Sequence, residues 1–212
     1  MKASMLKSRI GAAVGKVTIE AFRRGFCGQA LLPGDAGCDS ARRIWNASID
    51  KHPGLIVRCS DAADVVRAVK FSRANNLLVA VKSGGHNVAG RALCDDGIVI
   101  DLSAMNRVSV DPGLRTVRVQ AGALLGDVDR ETHPHDLAVP TGVVSKTGIA
   151  GLTLGGASSY KMIAGLAGSI FARYRATRSR SRRFIWTTIS KGFLPAAQPR
   201  SRVRSTNGNW PR

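Results

Sequence analysis

Three short apolar runs, separated by polar segments, stand out in the first hundred residues of the chain. They occupy residues 55–59, 77–81 and 98–102. Continuous apolar runs of this length are typical of buried strands. Between the first two runs, apolar side chains recur from Ala62 to Val69 at the i, i+3, i+4, i+7 spacing of a helix with one buried face, and Ser60 is the expected N-cap. A strand, a helix and a second strand with a short return predict parallel strands.

Polar turns divide the neighbouring sequence into further short elements. Residues 39–49 have the apolar spacing of a helix. Two short runs, 107–110 and 116–120, are joined through Asp111-Pro112-Gly113 and predict a hairpin. A short helix is expected over residues 123–130. Together these elements predict an α+β core with a mixed sheet.

Charge is distributed unevenly along the chain. The 212 residues include 32 Lys or Arg and 14 Asp or Glu, a net charge of +18. Residues 158–212 contain twelve of the basic residues and no acidic one. The high net charge is therefore mostly a property of this Arg-rich tail, which we expect to be irregular or disordered.

Cysteine spacing and hydropathy indicate the compartment. Cys27, Cys38, Cys59 and Cys94 form no C-x-x-C pair and no metal-ligand spacing, and Cys59 is expected to be a buried thiol. The first twenty residues lack the apolar core of a signal peptide, and no run is long enough to span a membrane. We expect a reducing, cytoplasmic location and no membrane partner.

A glycine-rich stretch follows the second apolar run. Residues 81–90 are Val-Lys-Ser-Gly-Gly-His-Asn-Val-Ala-Gly. Adjacent glycines let a polyanion approach the backbone, and successive N–H groups in such a turn can form an anion-binding nest. Taken alone, a Gly-Gly pair after a strand is more often simply a turn.

A second stretch changes the interpretation of the first. Residues 140–156 are rich in Gly and Thr and otherwise apolar, which suits backbone packed against a flat, extended ligand. Together the two stretches resemble the FAD-linked oxidases whose flavin domain is shared with p-cresol methylhydroxylase, in the berberine-bridge-enzyme-like branch. The resemblance extends over about residues 27–156 and implies FAD as the cofactor.

The resemblance also implies a fold and domain boundaries. The expected fold class is α+β, an incomplete p-cresol-methylhydroxylase-type (PCMH-type) FAD-binding domain. It would comprise a small β-α-β subdomain and the start of the second FAD subdomain, followed by an irregular basic tail. The predicted boundaries are a basic leader at residues 1–26, the partial FAD-binding domain at 27–157 and the Arg-rich tail at 158–212.

Residues of both stretches are expected to contact FAD by this resemblance. They are Lys82, Ser83, Gly84, Gly85, His86, Asn87, Val88, Thr141, Gly142, Thr147, Gly148, Ile149, Gly151, Thr153 and Gly155. The loop at residues 82–88 would surround the pyrophosphate, and His86 would be bonded to the 8α carbon of the flavin. Some relatives carry a second link from a cysteine in the later stretch, but this chain has Val144 there. At most one covalent bond is therefore expected.

The function implied by the resemblance is flavin-dependent oxidation. A small-molecule alcohol, sugar or amine carbon would lose a hydride to FAD, and O₂ would reoxidise the flavin. No catalytic residue can be named, because nothing in residues 158–212 resembles the family's substrate domain. The chain is thus expected to be truncated and inactive alone. Its Arg-, Ser- and Pro-rich sequence after Gly156 is typical of an out-of-frame reading, so we hypothesise a frameshift near that residue.

Two alternatives concern other chemistry. The Arg-rich tail, with aromatic residues interleaved, could bind nucleic acid through charge and stacking, although no specific recognition motif accompanies it. His133-Pro134-His135 with Asp136 superficially suggests a metal pair. The intervening proline makes convergence on one ion awkward, so a solvated loop is the preferred interpretation.

Overall fold

A computed structural model describes residues 5–139 and 141–154, together with the backbone of residues 173–178 and 184–189. Its first sheet contains four strands, β1 (Gln29–Leu31), β2 (Leu55–Arg58), β3 (Val79–Lys82) and β4 (Ile98–Asp101), in the order β1-β2-β4-β3. Strands β2 and β3 both run parallel to β4, and β1 is antiparallel to β2. The parallel direction predicted for β2 and β3 is confirmed, but β4 lies between them. All four residues of β4 are buried, which suits the centre of a parallel sheet.

Side chains of this sheet fill two core clusters, one on each face. Leu55, Val57, Ile98 and Ile100 belong to one cluster, and their neighbours Ile56 and Val99 belong to the other. This alternation follows the period of two that a strand imposes on its side chains. Because both faces of the sheet are covered, successive residues of β2 and β4 are buried, and these strands form continuous apolar runs in the sequence.

Helix α3 (Ala62–Ala74) connects β2 to β3, but its buried face differs from the prediction. The buried residues are Asp64, Ala68 and Ser72, whereas Val69 is 42% exposed. The carboxylate of Asp64 accepts hydrogen bonds from the backbone N–H groups of Cys27, Gly28 and Ser60 and from the Ser60 hydroxyl. These bonds turn the helix so that a charged side chain faces inward.

The N-cap of α3 is also one residue later than predicted. The side chain of Asp61 accepts a hydrogen bond from the backbone N–H of Asp64, so Asp61 caps the helix. The expected cap, Ser60, instead donates its hydroxyl to the Asp64 carboxylate at 2.7 Å. The Ser60 hydroxyl therefore binds the buried Asp64 carboxylate instead of capping the helix.

Segments before β2 pack on the sheet. Helix α1 (Lys16–Arg24) and its flanks contribute Leu6, Ile19 and Phe26 to the first core cluster, and the ring of Phe22 stacks on that of Phe71. Helix α2 (Cys38–Ala41) is much shorter than the predicted helix over residues 39–49. It ends because the chain turns back around the side chain of Arg42, which pairs with both Asp39 and Asp50.

The second sheet is built on the predicted hairpin, which is confirmed. Strands β5 (Val108–Asp111) and β6 (Thr116–Val119) are antiparallel and pack with α4 (Leu125–Thr132) in a third core cluster. A 3-10 turn, His133–His135, follows α4 and has no buried residue. Helix α5 (Ile149–Leu154) is the last described helix before residue 155.

Two strands lie in the segment that was expected to be irregular. They are β7 (Arg173–Arg178) and β8 (Phe184–Ile189), which extend the second sheet in the order β5-β6-β8-β7 with antiparallel pairing. The prediction of an irregular tail is wrong for these two segments, since aromatic and β-branched residues of high strand propensity interrupt the arginines. The rest of residues 158–212 lies outside the described residues, so the disorder and frameshift hypotheses stay predictions.

All four cysteines are free, and Cys38, Cys59 and Cys94 are buried. The burial predicted for Cys59 is confirmed. Within the described ranges, no helix combines the length and the hydropathy that a membrane crossing requires.

Candidate cofactor site

The candidate site begins at the carboxyl ends of the parallel strands. Arg58, Asp101 and Lys82 end β2, β4 and β3 and stand side by side in register. The Asp101 carboxylate is fully buried; the Lys82 ammonium lies 3.4 Å from it and Arg58 Nε lies 3.8 Å from it. Two cations thus surround one carboxylate directly beneath the first glycine-rich stretch.

Lys82 is held inside the protein by these contacts. Its ammonium donates to the carbonyl oxygen of Ala41 at 2.6 Å and to Asp101, and its side chain is only 12% exposed. These partners neutralise part of its charge and direct it toward α2. Direct contact between Lys82 and the pyrophosphate stays a prediction.

Ser83 and the residues after it form a loop that is anchored by its own side chains. The Ser83 hydroxyl donates to the carbonyl oxygen of Ala121 at 2.9 Å. Gly85 has a φ of +68°, in the left-handed region that favours glycine. Asn87 Oδ1 accepts the backbone N–H of Arg91 at 3.0 Å, which closes the following turn. Val88 is 69% exposed at the tip of the loop.

Successive backbone N–H groups of this loop have no hydrogen-bond partner among the residues that the structure describes. None of the N–H groups of residues 84–88 donates a hydrogen bond to another residue in the described ranges. Unpaired N–H groups in a glycine-containing turn are the elements of an anion-binding nest. The loop therefore offers a row of donors where the sequence predicts a pyrophosphate site.

The second stretch is fixed by main-chain bonds to residues 123–126, at the start of α4. Leu125 N–H donates to Thr147 O, Gly126 N–H to Ser145 O, and Ile149 N–H to Ala123 O, each at 2.9 Å. A β-bridge between Leu124 and Gly148 lies among these bonds. Residues 145–149 are thus held against the first residues of α4.

Gly84 and Gly148 bring the two stretches into direct contact. A Cβ atom on Gly84 would overlap the backbone nitrogen of Gly148 and would lie 2.8 Å from the carbonyl oxygen of Lys146. A Cβ atom on Gly148 would overlap the nitrogen of Gly84 and lie 2.9 Å from the Cβ of Ser83. The two motifs, more than sixty residues apart in sequence, therefore meet backbone to backbone, and only glycine fits at either position.

The other predicted residues of the second stretch differ in their surroundings. Thr141 is buried, and its Oγ1 has no hydrogen-bond partner in the described part of the chain. Gly142 lies against the side chains of Leu125 and Leu152. Thr147 donates its N–H to Val144 O at 3.0 Å.

The last predicted residues of this stretch lie in α5 and just beyond it. Ile149 packs in the third core cluster, Thr153 is half-buried, and Gly151 faces open space. Gly155 lies outside the described residues.

His86 has a neighbour that the sequence did not reveal. Its imidazole stacks on the indole of Trp45, with ring centroids 5.5 Å apart and planes inclined by 21°. Trp45 lies within the helix predicted over residues 39–49, but α2 ends before it and the indole is 63% exposed. No signal in the sequence indicated this contact, because Trp45 fits the apolar spacing of the helix predicted over residues 39–49.

These features agree with the comparisons with known proteins. Residues 53–177 match the FAD-binding domain family, so the chain belongs to that family. Among curated proteins, it is 39% identical over 129 residues to (R)-6-hydroxynicotine oxidase of Paenarthrobacter nicotinovorans, covering 61% of this chain and 28% of the relative. It is 44% identical over 117 residues to an FAD-linked oxidoreductase of Dictyostelium discoideum, covering 55% and 25% respectively.

Solved structures give the same result for the fold. The structure of 6-hydroxy-D-nicotine oxidase from Arthrobacter nicotinovorans superposes with a TM-score of 0.59 and 38% identity over 60% of this chain and 28% of that one. The Physcomitrella patens BBE-like 1 protein has a TM-score of 0.59 at 23% identity, over 63% and 29% of the two chains, which supports the fold alone. The expected PCMH-type fold and the berberine-bridge-like resemblance are confirmed. The chain spans little more than a quarter of the length of these relatives.

FAD is therefore the cofactor of this domain, and the residues present fit it. The unpaired N–H row of residues 84–88 suits the pyrophosphate, because oriented amides stabilise negative charge. The buried Thr141 hydroxyl, which has no hydrogen-bond partner among the described residues, is a further polar group of the second stretch that a ligand can use.

Proposed function

We propose that this chain provides the FAD-binding portion of a flavin-dependent oxidoreductase, with the cofactor held at the Gly84–Gly148 contact. Residues 84–88 donate to the pyrophosphate, and residues 141–153 lie along the rest of the cofactor. The observation that carries this proposal is the row of N–H groups at residues 84–88, unpaired within the described ranges, beside a contact that admits no side chain. Such a site is preorganised, so binding does not have to order the loop.

His86 is the proposed point of covalent attachment. The imidazole of His86 would hold the flavin through its 8α carbon, with O₂ as the two-electron acceptor that balances the loss of one C–H and one N–H hydrogen. The support within this chain is that His86 follows the Gly84-Gly85 pair and lies on the same loop as the unpaired donors. Val144, which is 48% exposed, offers no thiol for a second bond.

The proposed reaction of the complete protein is removal of a hydride from an alcohol, sugar or amine carbon, with O₂ as the final acceptor. When bound, FAD supplies the hydride chemistry, and the protein positions it and tunes its electronics. Two relatives are named as a hydroxynicotine oxidase and, in the grass pollen allergen Phl p 4, as a protein with glucose dehydrogenase activity. We expect the chain alone to bind FAD without turnover, because it spans so small a share of its relatives.

A cytoplasmic location and the absence of specific nucleic-acid and membrane partners complete the proposal. Its support is that all four thiols are free, as in a reducing compartment. No observation on the described residues favours the alternative of a nucleic-acid-binding tail.

The visible spectrum of the purified protein, before and after acid precipitation, tests the proposal. A yellow pellet that becomes colourless in His86→Ala would establish FAD binding with a histidyl bond. Colour released to the supernatant would keep FAD binding and remove the covalent role of His86. A colourless protein that takes up no added FAD would contradict the proposed function.

A further inference from the structure

The cofactor loop is held from behind by residues 44–51, which we call the bracket segment. Trp45 N–H donates to Gly85 O at 3.2 Å, and Asn46 Nδ2 donates to Val88 O at 2.8 Å. The Lys51 ammonium donates to the carbonyl oxygens of Gly90 and Leu93 at 3.1 and 3.2 Å. Four carbonyl oxygens, distributed from residue 85 to residue 93, are therefore fixed by one short segment.

Close packing accompanies these bonds. A Cβ atom on Gly85 would lie 3.1 Å from Ile44 Cγ2, and one on Gly90 would lie 3.0 Å from Ile49 Cγ1. Both glycines have a positive φ, so their backbone conformation and their contact with the bracket segment each exclude larger residues. The loop and the bracket segment thus fit each other as a pair.

Arg42 closes the bracket segment at its base. Its guanidinium donates to Asp39 at 2.8 Å and to the Lys51 carbonyl oxygen at 3.5 Å, and it also pairs with Asp50. One side chain therefore ties the end of α2 to the end of the bracket segment. This anchor lets the segment support the loop although it contains no helix or strand.

These bonds determine which way the loop amides point. In a trans peptide the C=O and N–H groups point in opposite directions, and none of the described peptides is cis. Because Gly85 O faces Trp45 N, the N–H of His86 faces away from the bracket segment. The His86 N–H thus points to the side of the loop opposite the bracket segment, where we place the bound anion.

The side chain of Trp45 acts on the same residue. The indole is 63% exposed, so core packing does not explain its position, and its described ring partner is His86. Offset stacking at this centroid distance restricts the rotation of an imidazole and covers one of its faces. Trp45 lies outside residues 53–177, which match the family.

We propose that Trp45 is a positioning residue: its indole holds the imidazole of His86, and its backbone N–H, by binding Gly85 O, directs the N–H of His86 toward the cofactor. The proposal rests on the function proposed above, since it assumes that FAD is the ligand of this loop. It adds a residue and a segment to which neither the family match nor the sequence motifs assign a role.

The test compares wild-type protein with Trp45→Ala, Trp45→Phe and, as a control far from the site, Leu114→Ala, which is 73% exposed in the hairpin turn. Two quantities are measured: the affinity for added FAD and the rate at which diethyl pyrocarbonate modifies His86 in FAD-free protein, followed by peptide mass spectrometry. The second readout requires no cofactor. Thermal unfolding by circular dichroism verifies that each variant is folded.

Trp45→Ala is expected to weaken FAD binding by about tenfold and to speed modification of His86 by about threefold, because one aromatic pair is lost and one imidazole face is uncovered. Trp45→Phe should restore both quantities to within about twofold, since a phenyl ring can stack in the same way. Leu114→Ala should match the wild type in both. If Trp45→Ala does not fold, the same differences are expected in Trp45→Leu, which keeps apolar bulk without a ring.

Unchanged modification of His86 in Trp45→Ala would overturn the stacking role, even if FAD affinity fell. Faster modification with unchanged FAD affinity would overturn the positioning of the cofactor loop. If wild-type protein bound no FAD, the proposed function would fail together with the cofactor part of this inference. The modification rates would then still decide whether Trp45 holds His86.

Discussion

The first sheet and the contact between Gly84 and Gly148 are held together by opposite means. In the sheet, Leu55, Ile98 and Val99 are fully buried, and stability comes from the volume that they fill. At the contact, Gly84 and Gly148 meet only because neither carries a Cβ atom. Removal of atoms should therefore damage the sheet, whereas addition of atoms should damage the site.

The largest expected effect is a cavity in the sheet. Ile98→Ala should lower the free energy of unfolding by about 3 to 4 kcal/mol, because a fully buried side chain is truncated at the centre of the sheet. Val79→Ala is the matched control, since Val79 stands in register with Ile98 on the edge strand and is 39% exposed. It should cost less than about 1 kcal/mol. Urea unfolding measures both, and equal losses would contradict the difference in burial.

A buried charge should produce the next largest effect. Asp64→Ala should cost about 3 kcal/mol, because the N–H groups of Cys27, Gly28 and Ser60 lose their acceptor. Asp61→Ala, on the same helix, removes only an exposed cap and should cost about 1 kcal/mol. A loss at Asp61 as large as that at Asp64 would show that capping, and not the buried acceptor, holds the N-terminal segment.

The pH dependence of stability is a second test of the role of the buried Asp64 carboxylate. Burial raises the pKa of Asp64, but the hydrogen bonds from Ser60, Cys27 and Gly28 outweigh it and lower that pKa overall. A carboxylate with a lowered pKa in the folded state stabilises the fold above about pH 4 and loses this contribution as the pH falls further. Wild-type protein should therefore lose more stability than Asp64→Ala between about pH 4 and pH 2. Parallel pH curves for the two proteins would refute the role of Asp64.

At the contact between Gly84 and Gly148, addition of one methyl group should lower the stability of the fold, as removal of a side chain does in the first sheet. Gly148→Ala should lower stability by about 2 kcal/mol, because the new Cβ overlaps the backbone of Gly84. FAD binding should weaken as the two stretches separate. In the control Gly113→Ala, the Cβ meets only Asp111 Oδ1 at an ordinary 3.6 Å, and stability should change by less than about 0.5 kcal/mol. Titration with FAD and thermal unfolding distinguish the two variants.

The smallest effect concerns thiol reactivity. Burial, with a contribution from Asp64, raises the pKa of Cys59 to about 12, and burial chiefly raises that of Cys94 to about 11. Both thiols are thus protonated and covered near neutral pH, whereas Cys27 is exposed. A disulfide reagent at pH 8 should modify one thiol quickly in native protein, and Cys27→Ser should abolish that fast phase. Rapid reaction of a second thiol would indicate that the sheet opens locally.

The predicted and observed elements agree where a sequence pattern reflects burial, and they differ where contacts between distant residues decide the structure. Strands β2 to β6 were located within one or two residues, because their apolar positions lie between turn residues, whereas β1, β7 and β8 were not predicted. The inward face of α3 was missed because Asp64 is polar, and its acceptor role depends on Cys27 and Gly28, far away in sequence. Helix α2 was predicted too long because ion pairs of Arg42 turn the chain back.

Sequence alone determined the family, the cofactor and the two glycine-rich stretches, because the residue types of these stretches and their order along the chain resemble those of a known family. Only the tertiary structure decided that Gly84 and Gly148 touch, that Lys82 turns toward Asp101, and that Trp45 stacks on His86. The physical reason is that a contact between distant segments depends on how β2, β3 and β4 are ordered in the sheet. Residue type along the chain reports burial and turns, but it does not report which distant segment lies opposite.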